Sequence, residues 1–360
     1  MKCTDEETRI RLGYTEREWA RLLEQEKQEK KRNQRLALVL AGLLLLTICM
    51  GFLVYYLVFR SHDSALSYAY ENTDSVFGVG TILDDPDVEE GFASELCVAT
   101  GDVNSSALSL ESYSAALFDI NGEEVLYAKD IFMERSPASI TKLMTALVTL
   151  KYGNLDDQVT VTSTILNIEE GSSVCDIKAG DVLSLKQLLY GMMIASGNDA
   201  AMMIAEHVAG SVDAFVELMN EEAEALGATS THFTNPHGLT DSEHYTSVYD
   251  IYLIFNAAMQ YDTFLDIINR ENYYAEYTDA DGNAVAVTWD STNQYFTGSA
   301  TAPDGIIIYG GKTGTTNDAG YCLSLMAKDL YGNPYIAVIL HADSKDSLYS
   351  EMNSLLSLIE

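Results

Sequence analysis

Residues 305–343 read GIIIYGGKTGTTNDAGYCLSLMAKDLYGNPYIAVILHAD, and the fold turns on them. The runs GIIIYGGKTG, GYCLSLMAKD and PYIAVILHAD are each apolar and long enough for a strand, and Tyr331-Gly332-Asn333 separates the last two. That pattern predicts three antiparallel strands. Upstream, SAALFDI and EEVLYAKD flank Asn121-Gly122, a pair tolerant of positive φ, and predict a hairpin. Between these groups, apolar periodicity through 141–151, 184–194, 199–209, 212–226 and 247–260 predicts helices, with Gly210 and Gly227 placed where helices stop. Leu348, Met352, Leu355, Leu356 and Ile359 make one apolar face of a closing helix. The expected fold is α+β: a five-stranded antiparallel sheet flanked by helices, plus an all-helical subdomain.

N-terminal to this body lies a different kind of sequence. Leu36 to Phe59 are uncharged and mostly apolar, longer than the roughly 20 residues needed to cross a bilayer. A cleavable signal peptide has a shorter apolar part behind a short basic start, and here 35 residues precede it. Lys27, Lys30, Lys31, Arg32 and Arg35 crowd one flank against Arg60 on the other, so residues 1–35 are expected in the cytoplasm. The expected organisation is a cytoplasmic helical stub (1–35), a transmembrane helix (36–59), an extracytoplasmic linker rich in Ser, Asp, Glu and Gly (60–106), and a catalytic domain (107–360).

Charge narrows the function. The chain has 21 Lys and Arg against 54 Asp and Glu; residues 61–360 hold ten of the cations and 46 of the acids, a net of −36. Such a surface repels nucleic acid and anionic headgroups. Cys97, Cys175 and Cys322 lie beyond the apolar segment at spacings unlike a redox or zinc pair, so at most one disulfide could join two of them.

Ser139-Ile140-Thr141-Lys142 follows Pro137 and opens an apolar helical run, which puts Ser139 and Lys142 on one helix face within side-chain reach. A serine hydroxyl attacks well only when a neighbouring base takes its proton, and an amine can be that base if burial or another cation lowers its pKa. Alone, S-x-x-K is weak. Ser196-Gly197-Asn198 then interrupts a strongly helical stretch with short polar side chains, and Gly311-Lys312-Thr313-Gly314-Thr315 follows the strand GIIIYG, whose glycines permit close approach of a ligand. These elements in this order match the S-x-x-K, S-D-N and K-T-G set of penicillin-binding proteins and class A β-lactamases, with S-G-N in the middle.

From about Ser112 onward the chain resembles the low-molecular-weight penicillin-binding D-Ala-D-Ala carboxypeptidases of peptidase family S11. The stretches SPASITKLMTAL (136–147), GSSVCDIKAGDVLSLKQLLYGMMIASGNDAA (171–201), THFTNPHGL (231–239) and DGIIIYGGKTGTTNDAGYCL (304–323) carry the resemblance. It implies a β-lactamase/transpeptidase-like fold, with Ser139 as nucleophile, Lys142 as base and Ser196 as proton relay. By the same resemblance Asn198, Lys312, Thr313, Gly314 and Thr315 bind substrate, and the Ser139 and Thr315 N–H groups form the oxyanion hole. The implied partners are peptidoglycan stem peptides and, as covalent inhibitors, β-lactam antibiotics. No cofactor or metal is implied. Relatives often carry a further C-terminal β-domain; in residues 271–303 Thr292-Asn293 fits a family position, and its surroundings match less closely.

Three other readings are weighed. A class A β-lactamase needs a glutamate-directed water, and no E-x-x-x-N segment occurs between Ser196 and Lys312. A DD-endopeptidase shares every motif. A non-catalytic wall sensor would have no need of an intact Ser139, Lys142, Ser196 and Lys312. His232, His237 and His244 match no zincin spacing; His237 is expected to brace a loop and His244 to be exposed.

Overall fold

The computed structural model describes Gly13 and residues 96–103, 108–169 and 171–359. The expected stub and transmembrane helix lie outside the described residues, as does most of the expected linker. Among the described residues, no helix is long and apolar enough to cross a membrane. Residues 96–103, grouped above with the linker, pack on the folded body. Cys97 is buried and its N–H donates to the Tyr252 hydroxyl, while Val103 and Ala128 exchange backbone hydrogen bonds.

Strands β1 (Ser114–Asp119) and β2 (Glu124–Lys129) form the expected hairpin. The left-handed residue of its turn is Glu123 (φ 52°), and the Gly122 N–H is tied to the Asp119 carboxylate. Helix α1 (Lys142–Tyr152) follows, then β3 (Gln158–Thr160), β4 (Val182–Ser184), α2 (Leu185–Ile194), α3 (Asn198–Ala209), α4 (Val212–Ala225), α5 (Val248–Ala258) and α6 (Asp262–Ile268). Serine side chains accept a backbone N–H at the starts of α2 (Ser184), α4 (Ser211) and α5 (Ser247), satisfying donors that would otherwise lack partners. The chain ends with β5 (Asn272–Thr278), β6 (Ala284–Asp290), a short α7 (Gln294–Thr297), β7 (Ile307–Thr316), β8 (Gly320–Lys328), β9 (Pro334–Ala342) and α8 (Lys345–Leu356).

The five-stranded sheet has the order β2-β1-β9-β8-β7, antiparallel throughout. Its middle strands are buried on both faces, so they read as continuous apolar runs. Alternation sorts their side chains: Ala116, Phe118, Ile336, Val338 and Leu340 enter the core shared with the helical lobe, whereas Ala115, Leu117, Ala337 and Ile339 pack with Leu348, Met352, Leu355 and Leu356 of α8. In β8, Cys322 and Met326 face the helical lobe, and Ser324 between them shares that face. Lys312 of β7 is the cross-strand partner of Ser324, so the strand period aims it into the same space.

The subdomain expected to be all-helical also carries a second sheet, β3-β4-β5-β6. Its largest part is the β5–β6 hairpin, seven residue pairs long, in the region whose family pattern is weakest. Only Ala275 and Trp289 of these two strands are fully buried, so the apolar signal is thin. The glycines of β7 serve the fold as well as the site. A Cβ on Gly310 would lie 1.7 Å from the Ile268 carbonyl oxygen, and one on Gly311 would lie 2.1 Å from that of Ser324. Gly310, at φ 141° beside a register shift, thus lets the strand pass α6, a closer approach than the ligand contact expected for these glycines.

Cys97, Cys175 and Cys322 are free and buried, and burial pushes the Cys97 and Cys322 thiols up to about 11 and about 12. Peptide-resolved alkylation of the native protein should leave all three unmodified and label them on unfolding. Fast native labelling at any of them would contradict this packing.

Candidate active site

Pro137 leads into a 3-10 turn at Ala138–Thr141, and α1 begins at Lys142. The 3-10 geometry brings residues i and i+3 into register, so Ser139 and Lys142 stack more directly than an α-helix would place them. The Lys142 Nζ lies 3.0 Å from the Ser139 Oγ. Ala138 carries φ 49°, a left-handed conformation unfavourable for a residue with a Cβ, directly before the nucleophile candidate. It is clamped from two sides. Gly238 leaves room for the Ala138 carbonyl, since a Cβ there would come within 1.9 Å of that oxygen, and Gly314 packs against Pro137 and Ser139.

Lys142 is fully buried. Its amine meets the Asn198 Oδ1 at 2.7 Å and the His237 carbonyl at 2.8 Å. A neutral amine has two N–H bonds and one lone pair. Those two acceptors engage both N–H bonds, which leaves the lone pair for the Ser139 hydroxyl proton. Burial, and secondarily the charge of Lys312, hold the Lys142 amine well below its ordinary 10.5.

Ser196 is the second left-handed residue with a side chain at the cleft, at φ 61°. It sits between α2 and α3 and receives a 3.0 Å hydrogen bond from the Lys312 Nζ, whose other bond goes to the Thr313 carbonyl. Burial alone brings Lys312 down to about 7. Desolvation thus favours the uncharged form of both amines, and each disfavours charge on the other.

These groups share one cleft. A recess of about 190 Å³ is lined by Ser139, Ser196, Thr292, Thr313, Gly314 and Thr315, together with Tyr321, Lys345 and Tyr349. A more open space of about 450 Å³ adjoins it, reaching Ser139 and Asn198 from residues 169, 171–173, 238–240 and 315–318. All eight residues expected at the site are thus brought together.

The motifs did not point to the groups that hold them in place. The Asp199 carboxylate accepts the N–H groups of Cys175, Ile177 and Ala200, pinning the 171–177 loop to α3. The Ser173 carbonyl from that loop accepts the Asn198 N–H. Thr292 pairs its hydroxyl with that of Thr313 at 2.5 Å. His237 braces its loop as expected, its Nδ1 accepting the Leu239 N–H. His244, expected at the surface, is only 2% exposed: its Nδ1 accepts the Thr234 N–H and its Nε2 meets the Thr141 hydroxyl, which donates to the Ala138 carbonyl.

A serine paired with a buried amine, a hydroxyl bridged to a second lysine, and a Thr-lined strand on an antiparallel sheet together define a transpeptidase/β-lactamase-like α+β fold. Solved relatives agree. The chain aligns with the Streptomyces K15 DD-transpeptidase at TM-score 0.65 and 28% identity, covering 70% of this chain and 97% of that one. It also aligns with the D-alanyl-D-alanine carboxypeptidase DacD of Francisella tularensis at TM-score 0.61 and 25% identity, covering 76% of each. Residues 102–344 match the family model of peptidase S11, D-alanyl-D-alanine carboxypeptidase, and the chain belongs to that family. Among curated relatives, the carboxypeptidase DacF of Bacillus subtilis is 32% identical over 257 residues, covering 70% of this chain and 63% of the relative. DacA of Escherichia coli K12 is 32% identical over 251 residues, covering 67% and 59%. The match thus spans about three-fifths of the length of these two relatives.

Lys312 gives the site a measurable signature. Its folded value of about 7 lies below the ordinary 10.5, so between these values the unfolded chain binds more protons and stability rises with pH. Denaturant unfolding at pH 7 and pH 9 should show that rise, and Lys312→Met should reduce it. Equal slopes in the two proteins would mean that the amine is not desolvated.

Proposed function

We propose that this protein is a serine D-Ala-D-Ala carboxypeptidase that removes the terminal D-alanine from peptidoglycan stem pentapeptides through an acyl-enzyme on Ser139. The observation that carries this reading is the hydrogen-bond set of Lys142, in which Asn198 and the His237 carbonyl leave one lone pair for Ser139.

The steps follow from the geometry. Ser139 gives its proton to Lys142 as its oxygen adds to the carbonyl between the two terminal D-alanines. Negative charge on that carbonyl oxygen is met by the N–H groups of Ser139 and Thr315, positions that Gly314 lets come close together. Ser196, bridged to Lys312, relays a proton to the departing amine as the C–N bond breaks. Water then adds to the ester, and release of the acid restores Ser139. Asn198, with its Oδ1 given to Lys142, offers its Nδ2 to the substrate amide. Thr313 and Thr315 receive the terminal carboxylate, and Lys312 supplies the positive potential. A β-lactam follows the same first step and stays attached, because its ring has no separate leaving group to depart. Anchoring through residues 36–59, with the N-terminus cytoplasmic and the catalytic domain outside, fits a substrate in the wall and belongs to the same proposal.

Two measurements test it. Incubation with benzylpenicillin should add its mass to the peptide containing Ser139, and Ser139→Ala should abolish the adduct. Wild type should release free D-alanine from a linear pentapeptide; splitting of cross-linked dimers without that release would instead indicate endopeptidase action, and rapid penicillin turnover a β-lactamase.

The pH profile gives a further check. The charge of Lys312 helps keep Lys142 unprotonated. In Lys312→Met the residual acylation should have its acid limb moved to higher pH, because the amine regains affinity for a proton. An unmoved limb would remove Lys142 from the role of base.

A further inference from the structure

We infer that His244, acting through the Thr141 hydroxyl, is a positioning residue for the oxyanion hole: it fixes the peptide unit that carries the Ser139 N–H. The inference rests on the acyl-enzyme reading of Ser139 and adds two residues to it.

The chain of hydrogen bonds from His244 has a fixed direction. The residue is buried, and that burial holds its imidazole down at about 4, so the ring is neutral and carries one proton. Its Nδ1 accepts the Thr234 N–H at 3.0 Å, which places the ring proton on Nε2. Nε2–H therefore donates to the Thr141 Oγ at 2.8 Å. The Thr141 hydroxyl, its lone pair engaged, gives its own proton to the Ala138 carbonyl, also at 2.8 Å.

The Ala138 carbonyl and the Ser139 N–H belong to one planar trans peptide unit, so they point in opposite directions. Aiming the oxygen at Thr141 aims the N–H the other way. Two glycines mark the two sides. A Cβ on Gly238 would come within 1.9 Å of the Ala138 oxygen and 2.7 Å of the Thr141 Oγ, whereas one on Gly314 would lie 3.0 Å from the Ser139 nitrogen. Gly314 directly precedes Thr315, which supplies the second N–H of the proposed hole. Among the described residues no backbone carbonyl accepts the Ser139 N–H, which leaves it for a ligand. Ala138 is held at φ 49°, a conformation that a residue with a Cβ leaves when its surroundings release it. A return to negative φ would reorient the following peptide unit and turn its N–H out of the hole. Donation to the carbonyl oxygen also polarises the amide and strengthens the N–H as a donor. Stabilisation of the oxyanion depends on the placement of such donors.

The test compares Thr141→Val, Thr141→Ser, His244→Leu and the Thr141→Val/His244→Leu double variant with wild type. Each preparation is titrated with benzylpenicillin, so that rates are counted per reactive Ser139 and loss of folded protein does not enter. In Thr141→Val, which keeps the side-chain shape, acylation by penicillin and kcat on a D-Ala-D-Ala peptide should fall about ten- to a hundredfold, with KM changed less than about twofold. Thr141→Ser should restore most of the rate. His244→Leu should lose activity in the same way, and the double variant should be no slower than Thr141→Val, because both substitutions break one chain. The stretching frequency of the penicilloyl ester carbonyl, read by isotope-edited difference infrared spectroscopy, should rise in Thr141→Val and His244→Leu, since hydrogen bonds from the hole lower it. An unmoved band, or additive losses in the double variant, would overturn the inference and leave the acyl-enzyme reading intact, because the adduct on Ser139 would still form. If wild type forms no adduct on Ser139, that reading fails and the inference falls with it.

Discussion

An amine held without water at the first turn of a buried helix is the constraint around which this domain is organised. Lys142 has no exposed surface, and an ammonium in that position would be strongly disfavoured. The protein meets this by giving the amine two fixed acceptors from distant parts of the chain, the Asn198 side chain and the His237 backbone. Each acceptor needs its own support. Asp199 ties the loop before α2 to the start of α3, and Asn235 accepts the Gly238 N–H to shape the turn that carries His237. Removing either support frees the amine to turn, and its lone pair would no longer point at Ser139.

The same constraint accounts for the strained backbone. Ala138 and Ser196 both adopt left-handed φ, and both flank the site. Such residues persist only where their surroundings overdetermine them. Ala138 is overdetermined by Gly238, Gly314 and the chain from His244 through Thr141 to its carbonyl. Ser196 is held between α2 and α3 and bridged to Lys312. Stability given up at buried lysines and strained residues is offset by the two apolar cores on either face of the five-stranded sheet, the usual division between site and scaffold.

How much of this could be read from the sequence depends on how local each signal is. Strands β8 and β9 announce themselves because both faces are covered, and α8 because its stripe meets one face of the sheet. The eight candidate site residues, named from short motifs and the family resemblance, come together in one place because each motif keeps its side chains at a fixed local spacing. The β5–β6 hairpin was passed over even though Asp281-Gly282 sits between two alternating runs, with Gly282 at φ 85°. With one buried residue per strand, that alternation carries little apolar contrast. Gly310 and Gly311 look like ligand-facing glycines until Ile268 and Ser324 are seen against them. His244 is misplaced by its acidic, polar neighbours, and only the tertiary path to Ala138 explains its burial. A supporting contact made across a hundred residues leaves no periodic trace.

A final physical question is how residues 61–360, with 46 acids and ten cations, can attract the anionic end of the substrate proposed above. Screening in physiological salt confines the field of exposed carboxylates to about 8 Å. The recess wall carries Lys345, and Lys312 is buried behind Ser196, where the effective dielectric is low and interactions are strongest. The two scales separate cleanly. Far from the cleft, net negative charge discourages anions and self-association; inside it, a few cations at contact distance dominate. Because Lys142 acts uncharged in the proposed mechanism, the positive potential there rests on Lys312. The site can then be basic at Ser139 and cationic toward its ligand at the same pH, which two identical lysines in identical surroundings could not provide.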